Sequence, residues 1–168
     1  MTVVNAVVSL RLAKEDFKFS VAHFTIFEAT RAEPLHGHNY RMAIELEAGE
    51  RGIEASGLLA DTDRWKRAVR AVCATLDDKV LLAADHPGIA IETDGAALLC
   101  RFADRDYRFP EREVLPLPLV NISMELLARW AWRRLVPETA GTPVRFLTVE
   151  IEETPGQLCR YRAAVDPG

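Results

Sequence analysis

The sequence predicts an α+β fold, with an antiparallel sheet of four strands, two helices on one face of the sheet and a small inserted hairpin. Two kinds of periodicity support this prediction. Some segments alternate between apolar and polar side chains, as strands do, and two segments carry apolar residues at helical spacing. With 168 residues and without internal repeats or linkers, the chain fits one domain, residues 1–168.

Strands are expected in the amino-terminal part of the chain. Residues 3–12 are rich in valine and favour an extended strand. Residues 17–23 alternate cleanly and place His23 on the apolar face. Residues 24–34 contain Thr30, Arg31, Glu33 and Pro34 and predict a loop. Residues 35–47 alternate again, with one apolar and one charged face, which is typical of a half-buried antiparallel strand.

Two helices are predicted from apolar stripes at helical spacing. The first covers residues 61–76, where Asp61 or Thr62 can cap the start. The second runs from about Ser123 to Leu135, with Ser123 as its N-cap. Both helices are amphipathic, so each should bury one stripe against the sheet.

The segments around the second helix predict shorter strands. Within residues 85–120, two short strands are expected around a turn at Ala103–Asp106, followed by an extended, proline-containing stretch. Residues 144–153 and 158–165 predict a closing pair of strands joined by a turn. An open sheet built in this way leaves edges that subunit association can cover.

The composition excludes several classes of protein. The net charge is −4, with 25 acidic and 21 basic residues and no basic cluster, which argues against a nucleic-acid partner. No apolar run approaches the roughly 20 residues of a membrane span, and no secretion signal is recognisable. Cys73, Cys100 and Cys159 are widely spaced and are interpreted as small apolar fillers. We therefore expect a cytoplasmic protein that binds a small molecule.

Three of the four histidines lie between positions 23 and 38, on faces that are otherwise apolar. His36 and His38 share one face of a strand, about 7 Å apart along the chain. His23 ends the preceding strand, and an antiparallel connection can bring it beside them. Three neutral imidazoles are the ligand set of a catalytic zinc that keeps one position open. The alternative is that the histidines make hydrogen bonds within the core.

Glu153 ends an apolar face formed by Leu147, Val149 and Ile151. An acidic side chain in that position is costly unless it binds a partner. Its carboxylate can accept two hydrogen bonds from the ring NH and NH2 groups of a heterocycle with an amidine-like edge. The alternative is that Glu153 lies beyond the end of the strand, in water.

Six segments occur in a characteristic order: FSVAH, LHGHNY, GLLAD before the first helix, LDD after it, NISMELLARW and VEIEET. From about residue 17 to residue 161, the chain resembles the family of 6-pyruvoyltetrahydropterin and 6-carboxytetrahydropterin synthases. The most specific match is LHGHNY with a histidine upstream. Residues 83–120 look like an insertion relative to the short members of this family.

The resemblance implies a tunnelling fold, an assembly of trimers that reaches a hexamer, and active sites between subunits. It also implies that the three histidines bind zinc and that Glu153 anchors the pterin ring. Ser123, at a helix start, and Glu125 would lie beside the pterin. The typical substrate of the family is 7,8-dihydroneopterin triphosphate.

Two positions depart from the family pattern. The usual catalytic cysteine lies four residues before the HGH motif, where this chain has Ala32 followed by Glu33. The usual Asp-His pair is here Asp77-Asp78, which could also be a solvated helix end. Members with glutamate in place of the cysteine are associated with side-chain cleavage, although Glu33 does not match their pattern by strict position. Glu33, Asp77 and Asp78 are candidate acids and bases, and His86 either replaces the missing histidine or is a loop residue.

These departures predict a zinc-dependent lyase that acts on 7,8-dihydroneopterin or its phosphate. Because the thiolate relay is missing, carboxylates would move the protons. Retro-aldol cleavage would then release 6-hydroxymethyl-dihydropterin for folate or tetrahydromethanopterin synthesis. Two alternatives stay open: formation of 6-pyruvoyl- or 6-carboxy-tetrahydropterin with a rearranged base, and a non-catalytic homologue that binds a pterin or a metal.

Overall fold

The computed structural model describes residues 6–53 and 56–165. Residues 3–5 of the predicted first strand lie outside this part of the chain. The described strands and long helices are β1 Val7–Leu12, β2 Lys18–His23, β3 Ile26–Glu28, β4 Arg31–Ala32, β5 His36–Gly49, α1 Thr62–Leu76, β6 Lys79–Ala83, β7 Ile89–Asp94, β8 Ala97–Phe102, β9 Arg105–Pro110, β10 Val114–Leu117, α2 Met124–Leu135, β11 Phe146–Thr154 and β12 Gln157–Ala164.

The main sheet is mixed and has seven strands, in the order β10-β6-β2-β5-β11-β12 with β1 also paired to β5. The long strand β5 is central. β11 pairs with one of its sides, and β2 and β1 pair with successive halves of the other side. β6 pairs in parallel with both β2 and β10. The sheet is therefore mixed and not wholly antiparallel, and it has seven strands where four were expected. Two of the additional strands, the short β6 and the proline-containing β10, carry no alternating pattern in the sequence.

Both predicted helices are confirmed, with their predicted caps. The carboxylate of Asp61 accepts hydrogen bonds from the amides of Asp63 and Arg64 at the start of α1. The hydroxyl of Ser123 accepts from the amide of Leu126 at the start of α2. These side chains satisfy amide donors that have no partner within the helix.

One face of the main sheet and the two helices enclose the principal core. Trp132 of α2 also donates from its indole nitrogen to the carbonyl of Leu147 on β11, at 2.8 Å. Burial of the apolar helix stripes accounts for the helix positions. The buried helix residues are Trp65, Val69, Val72, Cys73 and Leu76 on α1, and Leu127, Ala128, Trp130, Ala131 and Leu135 on α2.

The opposite face of the main sheet is polar. Glu150 of β11 is held by Arg11 of β1 and Arg160 of β12, with closest contacts of 2.6 and 2.7 Å. Arg162 pairs with Glu47 at 2.7 Å. The alternation of the strands thus separates an apolar face under the helices from a charged face.

The inserted segment is larger than the predicted hairpin. The predicted strands on either side of the turn after Phe102 are confirmed as β8 and β9, and β7 adds a third antiparallel strand. This small sheet packs on a second apolar cluster, which is separate from the principal core. Residues 24–34, expected as a loop, contain the short ladder β3–β4 and contribute to the same cluster. Its buried members are Phe24, Ile26, Leu82, Leu98, Cys100, Phe102 and Val114.

Within the described ranges, no helix is both long enough and apolar enough to cross a membrane.

Candidate active site

Strand pairing brings the three predicted histidines together at one end of the main sheet. His23, the last residue of β2, lies opposite His36, the first residue of β5, and Val21 lies opposite His38. The ring centroids of the three imidazoles are 4.6 to 5.4 Å apart. One ring nitrogen from each histidine lies within 4.8 Å of the others, so the triad could hold one metal ion.

Hydrogen bonds orient the imidazoles of His36 and His38. Nδ1 of His36 lies 2.9 Å from the carbonyl oxygen of Pro34. Because a carbonyl only accepts, Nδ1 carries the proton and Nε2 keeps a free lone pair. That Nε2 lies 2.8 Å from Nε2 of His38. Without a cation, His38 must donate to His36, whereas a bound metal ion would accept both lone pairs.

His23 is the most buried member of the triad, with 1% of its surface exposed. Burial lowers the pKa of its imidazole below the ordinary value of 6.5, and the neighbouring His36 and His38 lower it further. Its Nδ1 has no hydrogen bond of normal geometry among the described residues, and a backbone contact with Ile122 only partly offsets the lowered pKa. A buried ring that stays neutral keeps a lone pair that a metal ion can accept.

Tyr40 and Glu153 complete the floor of the site. The Tyr40 hydroxyl donates to Oε1 of Glu153 at 2.6 Å and lies 3.0 Å from Nε2 of His23. The same carboxylate oxygen is 3.4 Å from Nε2 of His38. Only 16% of the Glu153 side chain is exposed, so this residue is not a solvated strand end. Tyr40 belongs to the LHGHNY motif, but the sequence analysis did not assign it a role.

Burial and nearby carboxylates keep Tyr40 protonated. Burial is the main cause that raises the pKa of its hydroxyl far above 10, and the hydrogen bond to Glu153 adds to the effect. The charges of Glu33 and Glu125 act in the same direction. The carboxylates of Glu33, Glu125 and Glu153 therefore all lie near the histidine end of the sheet, where their negative charge would favour a cationic group.

Glu33 lies directly after β4 and points back toward the triad. Its Oε2 accepts from the amide of Thr25 at 3.2 Å and is 3.9 Å from Nε2 of His36. Its own amide donates to the carbonyl of Thr25 at 2.9 Å. About a third of the side chain, 36%, is exposed, so the carboxylate is both held and accessible.

The segment before α2 packs beside the loop that carries Glu33. The side-chain amide of Asn121 pairs with both backbone groups of Ile26, at 3.0 and 2.8 Å. Ser123 caps α2, and its hydroxyl is used for that purpose. Glu125 is exposed in the first turn of α2. The structure thus places the start of α2 beside the segment that follows His23, through an Asn121 contact that the sequence did not indicate.

Asp77 and Asp78 lie between α1 and β6 and form hydrogen bonds with the backbone of β2. Oδ1 of Asp77 accepts from the amide of Ser20 at 2.7 Å, and the amide of Asp78 donates to the carbonyl of Ser20 at 2.8 Å. Asp78 has a φ of 56°, in the left-handed region. It borders a cavity of about 450 Å³ whose walls include His38. Both acids line a second cavity beside Tyr40, but of the two only Asp78 lines the cavity that His38 borders.

His86 lies in the loop after β6, and its observed contacts are local. Its ring packs edge-on against Phe102, with the ring centroids 5.8 Å apart. Its Nδ1 accepts from the amide of Gly88 at 3.0 Å. These contacts agree with the loop-residue interpretation and do not link His86 to the triad.

Fold and site together define an α+β protein with a three-histidine centre that could hold a metal ion. A family model described as 6-pyruvoyl tetrahydropterin synthase matches residues 11–164. The chain therefore belongs to the 6-pyruvoyl tetrahydropterin synthase family, as its motifs suggested. A Methanocaldococcus jannaschii protein, described provisionally as a 6-carboxy-5,6,7,8-tetrahydropterin synthase, is 26% identical over 148 residues, which cover 86% of this chain and 89% of the relative.

Solved structures show the same fold. The 6-pyruvoyl tetrahydropterin synthase of Plasmodium vivax matches with a TM-score of 0.88 and 25% identity, over 96% of this chain and 100% of that chain. Two variants of the Plasmodium vivax protein match with the same TM-score at 24% identity. In these variants a glutamate described as a catalytic residue is replaced by alanine or cysteine. The α+β tunnelling fold predicted from the motifs is thereby confirmed.

Proposed function

We propose that this protein is a zinc-dependent lyase that cleaves the side chain of 7,8-dihydroneopterin or its phosphate. The observation that carries the proposal is the position of Glu33, whose carboxylate oxygen lies 3.9 Å from Nε2 of His36. Membership of the pterin synthase family supplies the substrate class. The Plasmodium vivax variants support the use of a glutamate as a catalytic residue on this fold.

No cysteine of the chain is suited to act as the base. Burial raises the pKa of the Cys73 thiol to about 12 and that of Cys100 to about 11. Burial also raises the pKa of Cys159. The thiolate is the nucleophilic and basic form of cysteine, and it is disfavoured at all three positions. A carboxylate base is therefore the simpler assignment.

We assign the metal to the three histidines and propose that it is zinc, because three imidazoles are a typical zinc ligand set. When bound, zinc lowers the pKa of a hydroxyl group and acts as a Lewis acid. Glu153 would bind the NH and NH2 edge of the pterin, and Tyr40 holds one oxygen of that carboxylate. Ser123 and Glu125 are proposed to border the ring from the start of α2.

In the proposed reaction, Glu33 removes the proton from the C2′ hydroxyl. The C1′–C2′ bond then breaks, its electrons pass into the C6=N5 imine, and C2′ leaves as the carbonyl of a two-carbon aldehyde or its phosphate. Protonation of C1′ gives 6-hydroxymethyl-dihydropterin. A carboxylate suits removal of a hydroxyl proton better than removal of a carbon-bound proton, because its basicity is modest. Asp78 is the proposed second proton-transfer group.

The second candidate is formation of 6-pyruvoyl- or 6-carboxy-tetrahydropterin, which the description of the archaeal relatives favours. The third is a homologue that binds a pterin or metal without turnover. Incubation of the zinc-loaded protein with dihydroneopterin, its monophosphate and its triphosphate separates the three by product mass. Release of 6-hydroxymethyl-dihydropterin supports the lyase, and a pyruvoyl or carboxy product without it would reject the lyase.

We also propose that the subunits form trimers that pair into hexamers, with active sites at the subunit interfaces. The outer strand β12 has a free edge among the described residues, and Val7 and Leu158 expose apolar side chains on β1 and β12. Unpaired strand edges favour strand addition from a neighbouring subunit. Light scattering at micromolar concentration should give the mass of three or six chains, and a monomer would reject this assembly.

A further inference from the structure

The inserted sheet reaches the loop that carries Glu33 through one arginine. Arg105, the first residue of β9, donates from Nη1 to the carbonyl of Glu33 and from Nη2 to the carbonyl of Ala32, the latter at 2.8 Å. The next carbonyl, that of Pro34, accepts a hydrogen bond from Nδ1 of His36 at 2.9 Å. Three consecutive carbonyls are therefore engaged, two by Arg105 and one by the triad.

The chemistry of the guanidinium group makes this contact specific. Its planar fork holds two acceptors in a defined relative position, which a lysine ammonium cannot do. Binding to one guanidinium fixes the carbonyls of Ala32 and Glu33 relative to each other. The backbone fixed in this way carries the Glu33 carboxylate, which contacts the amide of Thr25 and the ring of His36.

Packing of the inserted sheet also supports the loop that carries Glu33. Phe102 lies opposite Arg105 across the turn between β8 and β9, and it is buried in the second apolar cluster. Phe24 and Ile26, the neighbours of Thr25, belong to that cluster. The amide of Thr25 holds the Glu33 carboxylate at 3.2 Å, and Arg105 holds the Glu33 carbonyl. Both contacts therefore depend on the packing of the second apolar cluster.

Other arginines of the inserted sheet behave differently. Arg101 is 58% exposed and lies 3.4 Å from Asp106, and Arg108 is 65% exposed and lies 3.3 Å from Asp94. Both form surface ion pairs, which contribute little to stability. Arg105 is only partly exposed and binds backbone carbonyls. The guanidinium of Arg105 therefore orders the backbone at Ala32 and Glu33.

We propose that Arg105 is a positioning residue for Glu33, so that the inserted sheet forms part of the catalytic apparatus. The inference rests on the proposed role of Glu33 as the base. Arg105 does not touch the substrate in this proposal. It acts by holding the Ala32–Glu33 backbone, and a displacement of about 1 Å at a reacting group can lower a rate about a hundredfold.

Steady-state kinetics with dihydroneopterin test the proposal, with Arg108→Ala as the matched control on the same strand. Arg105→Ala should lower kcat at least about tenfold, with KM within about twofold and the zinc content unchanged, whereas Arg108→Ala should resemble the wild type. Arg105→Lys keeps the charge without the fork and should lose part of kcat. It also serves as the test variant if Arg105→Ala does not fold. Equal kcat in both arginine-to-alanine variants would overturn the proposal.

A double-mutant cycle separates positioning from general support of the fold. If Arg105 acts through Glu33, Arg105→Ala should not lower the residual activity of Glu33→Gln any further. An additional tenfold loss in that background would show an independent structural effect and would overturn the inference. Full activity of Glu33→Gln would instead reject the proposed role of Glu33, and with it the catalytic meaning of the Arg105 contact.

Hydrogen exchange provides a readout that does not depend on turnover. In Arg105→Ala, amides of residues 24–35 should exchange faster, including the Glu33 amide that bonds to Thr25. Amides in the β5 segment 38–49 should keep their wild-type protection. Unchanged exchange in residues 24–35 would overturn the anchoring role of Arg105, whatever the kinetics of Glu33→Gln show.

Discussion

Tyr40 donates a 2.6 Å hydrogen bond to Glu153 across the boundary between β5 and β11. The two residues are far apart in sequence, yet they meet beside His23 and His38. Because burial and neighbouring carboxylates keep Tyr40 protonated, it acts as a permanent donor to Glu153. The pair joins the proposed pterin anchor to the histidine triad in one hydrogen-bonded unit.

We expect one zinc ion per subunit, bound by His23, His36 and His38. His36→Ala should lose most of the bound metal, because each imidazole is one of only three protein ligands. The matched control is His86→Ala, which removes the remaining histidine from its contact with Phe102 and should keep the zinc. Elemental analysis of purified proteins measures both, and stoichiometric zinc in a variant that lacks all three ligands would reject the site.

Glu153→Gln should weaken pterin binding by about 1.5–3 kcal/mol, the size of a hydrogen bond to a charged group. The neighbouring variant Glu152→Gln is the control, since Glu152 accepts from the amide of Gly156 at 3.1 Å instead of from Tyr40. Calorimetry with a dihydropterin should show the loss only in the first variant. Equal affinities for Glu153→Gln and the wild type would rule out Glu153 as the anchor.

The two adjacent acids after α1 should differ in their effects. Asp77→Ala removes the acceptor of the Ser20 amide and should lower the free energy of unfolding by about 1.5–3 kcal/mol. Asp78→Asn should instead lower kcat at least about tenfold, which corresponds to about 1.4 kcal/mol in the barrier. Urea unfolding and steady-state kinetics distinguish these outcomes. Wild-type kcat in Asp78→Asn would leave Asp78 without a catalytic role.

Glu150 should make the stability depend on pH in the acidic range. The hydrogen bond from Arg11, above all, lowers the pKa of its carboxyl below the ordinary 4.5. The resulting stabilisation is therefore fully present above the ordinary pKa and is lost as the pH falls through the lower folded-state pKa. At neutral pH, Glu150→Gln should unfold more easily by about 1–3 kcal/mol, and this difference should shrink in acid.

Urea titrations of both proteins at fixed protein concentration, from neutral pH down to about pH 3, measure that difference. The control is Glu92→Gln, because Glu92 is 61% exposed in its contact with Arg101 and should change stability little. A difference between wild type and Glu150→Gln that stays constant down to the lowest pH would contradict the assigned pKa shift.

Local sequence patterns determined much of this protein. Alternation predicted β2 and β5, apolar stripes predicted α1 and α2, and Asp61 and Ser123 cap the helices as expected. These features depend on contacts within a few residues, so composition and spacing suffice. The same alternation placed the three histidines on one side of the sheet, and strand pairing brings them together.

Only the tertiary structure decided the strand order and the environment of the candidate base. β6 and β10 join the main sheet in parallel, and their short apolar runs carry no periodic signal. Arg105 contacts Glu33 across 72 positions, and Tyr40 contacts Glu153 across 113 positions. Contacts between such distant residues depend on how strands and loops pack in space. Spacing along the chain therefore does not predict them.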